Sequence, residues 1–367
     1  MTWFRTHEFF TAVHDSQIER LLESELAELS AEIAALHSED LTGVCLGGGY
    51  GRGEGGVWIG ADSVAHLYND LDFFVFTDGV SRKRWKMLDR ALVPIAQRWS
   101  EKLGVDVDFA PTKNRKLPET VAQMLMFQEL KHGHVQIYGE GDVLSSVKAI
   151  EAGDIAPFEG VRLLMNRGMG LLLAAEKLTR TATEEEKNFI VRNLNKAVLG
   201  GGDAVLLGQR RYCWRALDRL EELKQMFEKA DGTDELTGQY AAALDFKFRP
   251  NTHFETDLHL AWNQAREFWC ECVQRFANVP KSESVDDMLS KLKENKTLSG
   301  GSSLRNAVRW LFRTRQLGTV RELFEAPELR VLSELYTLIS IGGVNDIFED
   351  KNLARLNKVR QNWKSFL

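Results

Sequence analysis

Residues 44–76 read VCLGGGYGRGEGGVWIGADSVAHLYNDLDFFVF, and the order of elements in this stretch decides the fold. Val44–Leu46 is short and apolar, and the ten residues that follow, 47–56, hold seven glycines. A strand running into a glycine-rich, flexible loop is the reading such a change calls for. Asp70–Phe76 has the length and the apolar, aromatic content of a second strand. Between them, residues 57–68 form an excursion with no clear periodicity. Glycines let backbone amides approach and surround an anion, as phosphate-holding loops require. No Gly-Lys-Ser/Thr follows, so the loop is not of the Walker A kind. A strand rather than a long helix comes next, so it is not a dinucleotide fingerprint either.

Working outward, SRKRWKMLDRALVPIAQRWSEKLG (81–104) predicts a helix closed by Gly104, and VDVDFAP (105–111) a strand stopped by Pro111. A helical segment over 118–133 leads to a last strand, HVQIYG (134–139). Upstream, Ile18, Leu21, Leu22, Leu26, Leu29, Ile33 and Leu36 recur at spacings of three and four within 16–37. Beyond 150 strand signals almost vanish. Helical periodicity covers 158–179, 184–208, 211–230, 233–247, 256–277, 304–316, 319–325 and 328–341, with glycine or proline, Gly200–Gly202 among them, between several of these segments. The polar run 281–303 reads as a loose linker. The expected class is α+β: a helical segment over 1–40, an α/β sheet domain over 41–150 and an all-helical domain over 151–367.

Composition narrows the function classes. Across 367 residues, 47 basic against 53 acidic side chains leave a net charge of −6, which excludes coating nucleic acid by bulk charge. Four cysteines without CxxC spacing make neither a disulfide framework nor a zinc site. The N-terminal residues lack a signal-peptide pattern, and no stretch is apolar enough to span a bilayer, so a cytoplasmic protein with no membrane partner is expected.

Three features carry chemistry. The glycine loop is one. The second is Asp70-Leu71-Asp72: side chains alternate along a strand, so Asp70 and Asp72 share a face with Cα atoms roughly 6–7 Å apart. Two such carboxylates repel unless a cation joins them, and hard oxygen donors suit Mg²⁺. The third is Asp106-Val107-Asp108, again with same-face spacing. A third carboxylate beside the first pair is what two-metal phosphoryl transfer needs.

The order of glycine loop, Asp-x-Asp strand, helix and single-acid strand resembles the DNA polymerase β-like nucleotidyltransferase superfamily. The loop GGYGRGE resembles the G-S-x-x-R-G-E version of minimal and antibiotic-modifying members. The gap from loop to Asp pair is about ten residues longer than in compact members, which makes 57–68 an insertion beside the site. The resemblance implies that Gly48 and Gly49 hold nucleotide phosphates, that Asp70, Asp72 and Asp106 bind two Mg²⁺ ions, and that Asp106 serves as base, with Asp108 a neighbour. It further implies that Arg52 steadies phosphates and Glu54 fixes the loop. Lys196, on a K…GD helix like one that faces the nucleotide in several members, is the expected additional cation. The nucleoside triphosphate, with ATP the expected one, would donate its monophosphate to an acceptor: a small molecule, RNA, a protein or a second nucleotide. A catalytically idle nucleotide-binding module or antitoxin-like partner is the alternative. Arg305, Arg309 and Arg313 form a stripe that would guide a polyanionic acceptor or serve as a packing face.

Overall fold

The computed structural model describes residues 3–36, 39–227, 235–251, 257–279, 284–298, 303–314 and 325–366. The helix expected over 319–325 lies outside these ranges except for its last residue. Among the described residues no helix is long and apolar enough to cross a membrane.

The fold is α+β. Contacts divide the chain into two units, residues 1–151 with 245–252 and residues 152–244 with 253–367. In the first unit, β1 (Phe4–Arg5), β2 (Leu41–Leu46), β5 (Leu71–Thr77), β6 (Val107–Asn114) and β7 (Val135–Tyr138) form one mixed sheet in the order β1-β7-β2-β5-β6. Only β5 and β6 run parallel. The strands β3 (Val57–Ile59) and β4 (Ala65–Leu67) pair separately as a hairpin, with Trp58 opposite His66 and their rings 4.7 Å apart. The excursion over 57–68 is therefore an ordered antiparallel ribbon.

Helix α1 (Ser16–Ala34) starts where Asp15 accepts hydrogen bonds from the amides of Gln17 and Ile18. Helix α3 (Arg82–Leu103) starts at the Ser81 cap and ends on Gly104 at φ 70°. Ile18, Leu22, Leu26, Leu29 and Ile33 of α1 join Leu88, Leu92, Ile95 and Trp99 of α3 in one core. That core covers the sheet face carrying Leu71, Phe73, Val75 and Val107. Each such side chain contributes about 1.5–3 kcal/mol on burial. The alternate residues of β5 face the other way, where Phe76 packs with Leu130, Val143 and Leu144. Asp70 and Asp72 point to this second face by the period-2 rule.

Several expectations need correction. Pro111 does not stop its strand, because β6 is the outer strand of the sheet and its register with β5 shifts between Phe74 and Phe76, where proline is tolerated. The glycine loop is not plain coil: Gly48–Gly51 forms one helical turn, α2. The segment 118–133 splits into α4 (Glu119–Ala122) and α5 (Leu125–His132).

The second unit is helical: α6 (Phe158–Leu178), α7 (Glu184–Gly208), α8 (Ala216–Phe227), most of α9 (Glu235–Phe248), α10 (Leu258–Phe276), α11 (Val285–Glu294), α12 (Ser303–Thr314) and the helices Pro327–Ile339, Val344–Ile347 and Asp350–Phe366. The polar run 281–303 is thus no simple linker, since α11 occupies much of it, capped by Ser284. Helix α7 also continues through Gly200–Gly202. These glycines are points of close packing, for a Cβ on Gly202 would lie 2.5 Å from Cδ2 of Tyr240.

Candidate functional site

Topology gathers the three features at one end of the sheet. β2 runs antiparallel to β5, so the loop that leaves Leu46 emerges beside the start of β5. The Gly47 amide extends the ladder by donating to the Asp72 carbonyl oxygen at 2.8 Å. β6 runs parallel to β5 and begins at that same end: Leu71 pairs with Val107, Asp72 with Asp108, and the Leu71 amide donates to the Asp106 carbonyl at 2.8 Å. Neighbouring strands lie about 4.8 Å apart. Asp70, Asp72, Asp106 and Asp108 therefore share one sheet face, the one α1 and α3 leave uncovered. Asp70 and Asp72 are half-buried, and Asp106 and Asp108 are exposed.

Gly48 meets this face directly. Its φ is +61°, and a Cβ built on it would strike Oδ2 of Asp72. A side chain at 48 would need both the left-handed backbone region and the space Asp72 fills. The amides of Gly51, Arg52, Gly53 and Glu54 turn back on loop carbonyls, Gly55 donates to Phe10, and Gly56 to Oδ1 of Asn69 at 2.7 Å.

The loop is pinned from inside by Tyr50 and Lys247, which periodicity and motif did not single out, together with Arg52 and Glu54. Tyr50 is fully buried, and its hydroxyl donates to the Gly56 carbonyl at 2.8 Å and accepts from the Tyr68 amide at 3.0 Å. Burial pushes its phenol up to about 12. Arg52 is committed to carboxylates, with Nε 3.6 Å from Glu54 and Nη1 3.2 Å from Glu129. Lys247, at the end of α9, closes the chain of charges by donating to Glu54 at 2.6 Å. Arg52 is held by the same network.

Electrostatics mark the acid face. Burial, then the charges of Asp106 and Asp70, raise the Asp108 carboxyl above the ordinary aspartate range. A cation would relieve that crowding, and all four groups offer the hard oxygen donors that Mg²⁺ takes. Among the described residues no three metal-binding side chains already converge on one point. The fit is one of donor chemistry and strand register. The structure brings Asp106 and Asp108 to the same face, with Asp108 the one directly across from Asp72.

Lys196 sits half-buried on α7 in the second unit. Asp203, its companion in the sequence pattern, accepts from the Tyr240 hydroxyl at 2.6 Å and pairs with Arg219 at 3.3 Å. In the arginine stripe, Arg309 pairs with buried Glu328 at 2.7 Å and Arg313 donates to the Ser365 carbonyl at 2.8 Å. Two of its three cations thus hold α12 to neighbouring helices. His132 and His134 bond to the carbonyls of Ile150 and Leu130. No protein-family model matches this chain, and no curated protein matches its sequence.

Proposed function

We propose that the chain is a nucleotidyltransferase that moves a nucleoside monophosphate from a nucleoside triphosphate, ATP the expected one, to an acceptor nucleophile. The reading rests on one observation above all: a tight glycine turn abuts an aspartate that stands in register with a second acid strand. A loop suited to phosphates and a face suited to cations thus occupy the same end of one sheet.

In this reading the Gly48 and Gly49 amides donate to phosphate oxygens and orient the triphosphate. Asp70 and Asp72, with Asp106 or Asp108, would hold two Mg²⁺ ions. When bound, these would withdraw charge from the reacting phosphoryl group and favour ionisation of the attacking hydroxyl. Asp106 is exposed and accepts the proton of that hydroxyl. The acceptor oxygen bonds to the α-phosphorus as the bond to the bridging oxygen breaks, and pyrophosphate leaves. Arg52 and Glu54 keep the loop in shape, Lys196 adds a cation for the phosphates, and the helical unit supplies acceptor choice. A cytoplasmic setting, with its supply of triphosphate and Mg²⁺, agrees with this chemistry.

The test is incubation with each α-labelled triphosphate, Mg²⁺ and a cell extract, followed by identification of the labelled product. Asp70→Asn or Asp72→Asn should abolish pyrophosphate release, at least 10²-fold, with the circular dichroism spectrum unchanged. Undiminished turnover in either variant would sink the assignment. Nucleotide binding without any release would favour the idle, antitoxin-like partner instead.

A further inference from the structure

The second unit contains a cavity that the proposed chemistry does not use. Side chains from α11, α12 and the helices Pro327–Ile339 and Asp350–Phe366 line about 220 Å³ of space. The lining holds four basic and three acidic residues, so one positive charge is in excess. Arg355 and Lys358 share a single carboxylate, Glu334, at 3.2 and 3.5 Å. The Arg330 guanidinium lies over the Trp310 ring, 3.4 Å from its centre, and is itself 8% exposed.

Trp310 is 1% exposed and Asn362 is 2% exposed. Among the described residues, three buried lining atoms make no hydrogen bond: the indole N–H of Trp310, Oδ1 of Asn362 and Oε2 of Glu325. The Glu325 oxygen is answered by the Lys293 ammonium at 3.4 Å, which leaves Trp310 and Asn362. A buried polar group left unsatisfied keeps its full desolvation penalty, so each favours a ligand that supplies the missing partner. A donor and an acceptor left open in one cavity, beside surplus positive charge, describe a ligand: an anionic end for the cations, an oxygen for the indole N–H and a hydroxyl for the amide oxygen.

We infer that this cavity of the helical unit is a binding site for a small hydroxylated oxyanion, distinct from the acid face of the sheet. The volume suits a phosphorylated triose or a hydroxy-dicarboxylate. Phosphate esters and carboxylates share this chemistry, and the measurement separates them.

Calorimetric titration of the full chain with glycerol 3-phosphate and with malate reads the site. Saturable binding of one or both is expected, and the stronger ligand names the anion. Trp310→Phe keeps an aromatic ring under Arg330 and removes the N–H with its five-membered ring, so it should weaken binding about 5–10-fold. Lys358→Met, on a half-exposed side chain, should weaken it by a similar factor without endangering the fold. Asp72→Asn should leave binding intact, which separates this site from the nucleotide reading. No saturable binding of either compound overturns the inference, as does binding that both variants leave unchanged. Inorganic phosphate binding as tightly as the hydroxylated anions overturns the role given to Asn362.

Discussion

The Asp72 carboxylate stands where a side chain at position 48 would have to go, and Asp108 stands across the ladder from it. Packing and charge therefore meet at one group. The consequence for stability follows from the raised Asp108 carboxyl. Its folded form holds the proton more readily than an unfolded aspartate does. Its stabilising effect is greatest below the ordinary aspartate pKa and is lost as pH rises through the folded value. At neutral pH the ionised group is a small burden, screened because it is exposed. Asp108→Asn should therefore raise the melting temperature at pH 7 by about 1 °C and leave it unchanged near pH 3. Calorimetric melts at the two values check this, and a fall at pH 7 would show that the carboxylate has a stabilising partner instead.

At the scale of elements, helix α7 shows how composition misleads. Three consecutive glycines argue for a break, since each costs about 1 kcal/mol relative to alanine. Tertiary packing reverses the sign. A Cβ on Gly202 lies 2.5 Å from the Tyr240 ring and 3.0 Å from Leu223, and both are fully buried. Overpacking of that kind costs about 1–3 kcal/mol, more than the propensity gain returns. Gly202→Ala should destabilise by about 1–2 kcal/mol, while Gly238→Ala, on exposed α9 surface with nothing within 4 Å, should stabilise by about 0.5–1 kcal/mol. Urea titrations of the pair decide it, and equal signs would refute the packing argument. The same contrast explains which elements the chain made legible. Helix α1 and strand β5 stand out because one face of each is buried, and burial imprints its period on the residues. The 57–68 hairpin does not, because its two strands have three residues each. Pro111 misleads because an outer strand tolerates what an inner one forbids. In the site, the aspartates and Gly48 could be singled out, since few other reasons place such residues there. Tyr50 could not: an aromatic residue among glycines gives no sign that its hydroxyl bonds both Gly56 and Tyr68.

For the molecule as a whole, the first unit is not continuous in sequence. The chain leaves it after residue 151 and returns for 245–252, at the end of α9. The return delivers Lys247 to Glu54 at 2.6 Å, across 193 positions of sequence. No reading of local pattern links positions so far apart, which is why Lys247 was invisible until the fold was known. Its charge matters because Glu54 is 11% exposed and Arg52, at 3.6 Å and shared with Glu129, compensates it only in part. A buried carboxylate that loses its nearest cation retains its desolvation penalty without the compensating attraction. Lys247→Met should therefore destabilise the chain by about 1–3 kcal/mol, while Glu54→Gln in the same background should recover part of that loss because no charge is then left buried. The double-mutant cycle measured by urea denaturation should give a coupling of about 1–2 kcal/mol. A coupling near zero would mean that the return segment is held by its other contacts, among them the edge-on packing of Phe246 against Tyr68. A full coupling would make the glycine loop depend on a residue supplied after the helical unit's first three helices, so that the loop's shape and the folding of that return segment rise and fall together.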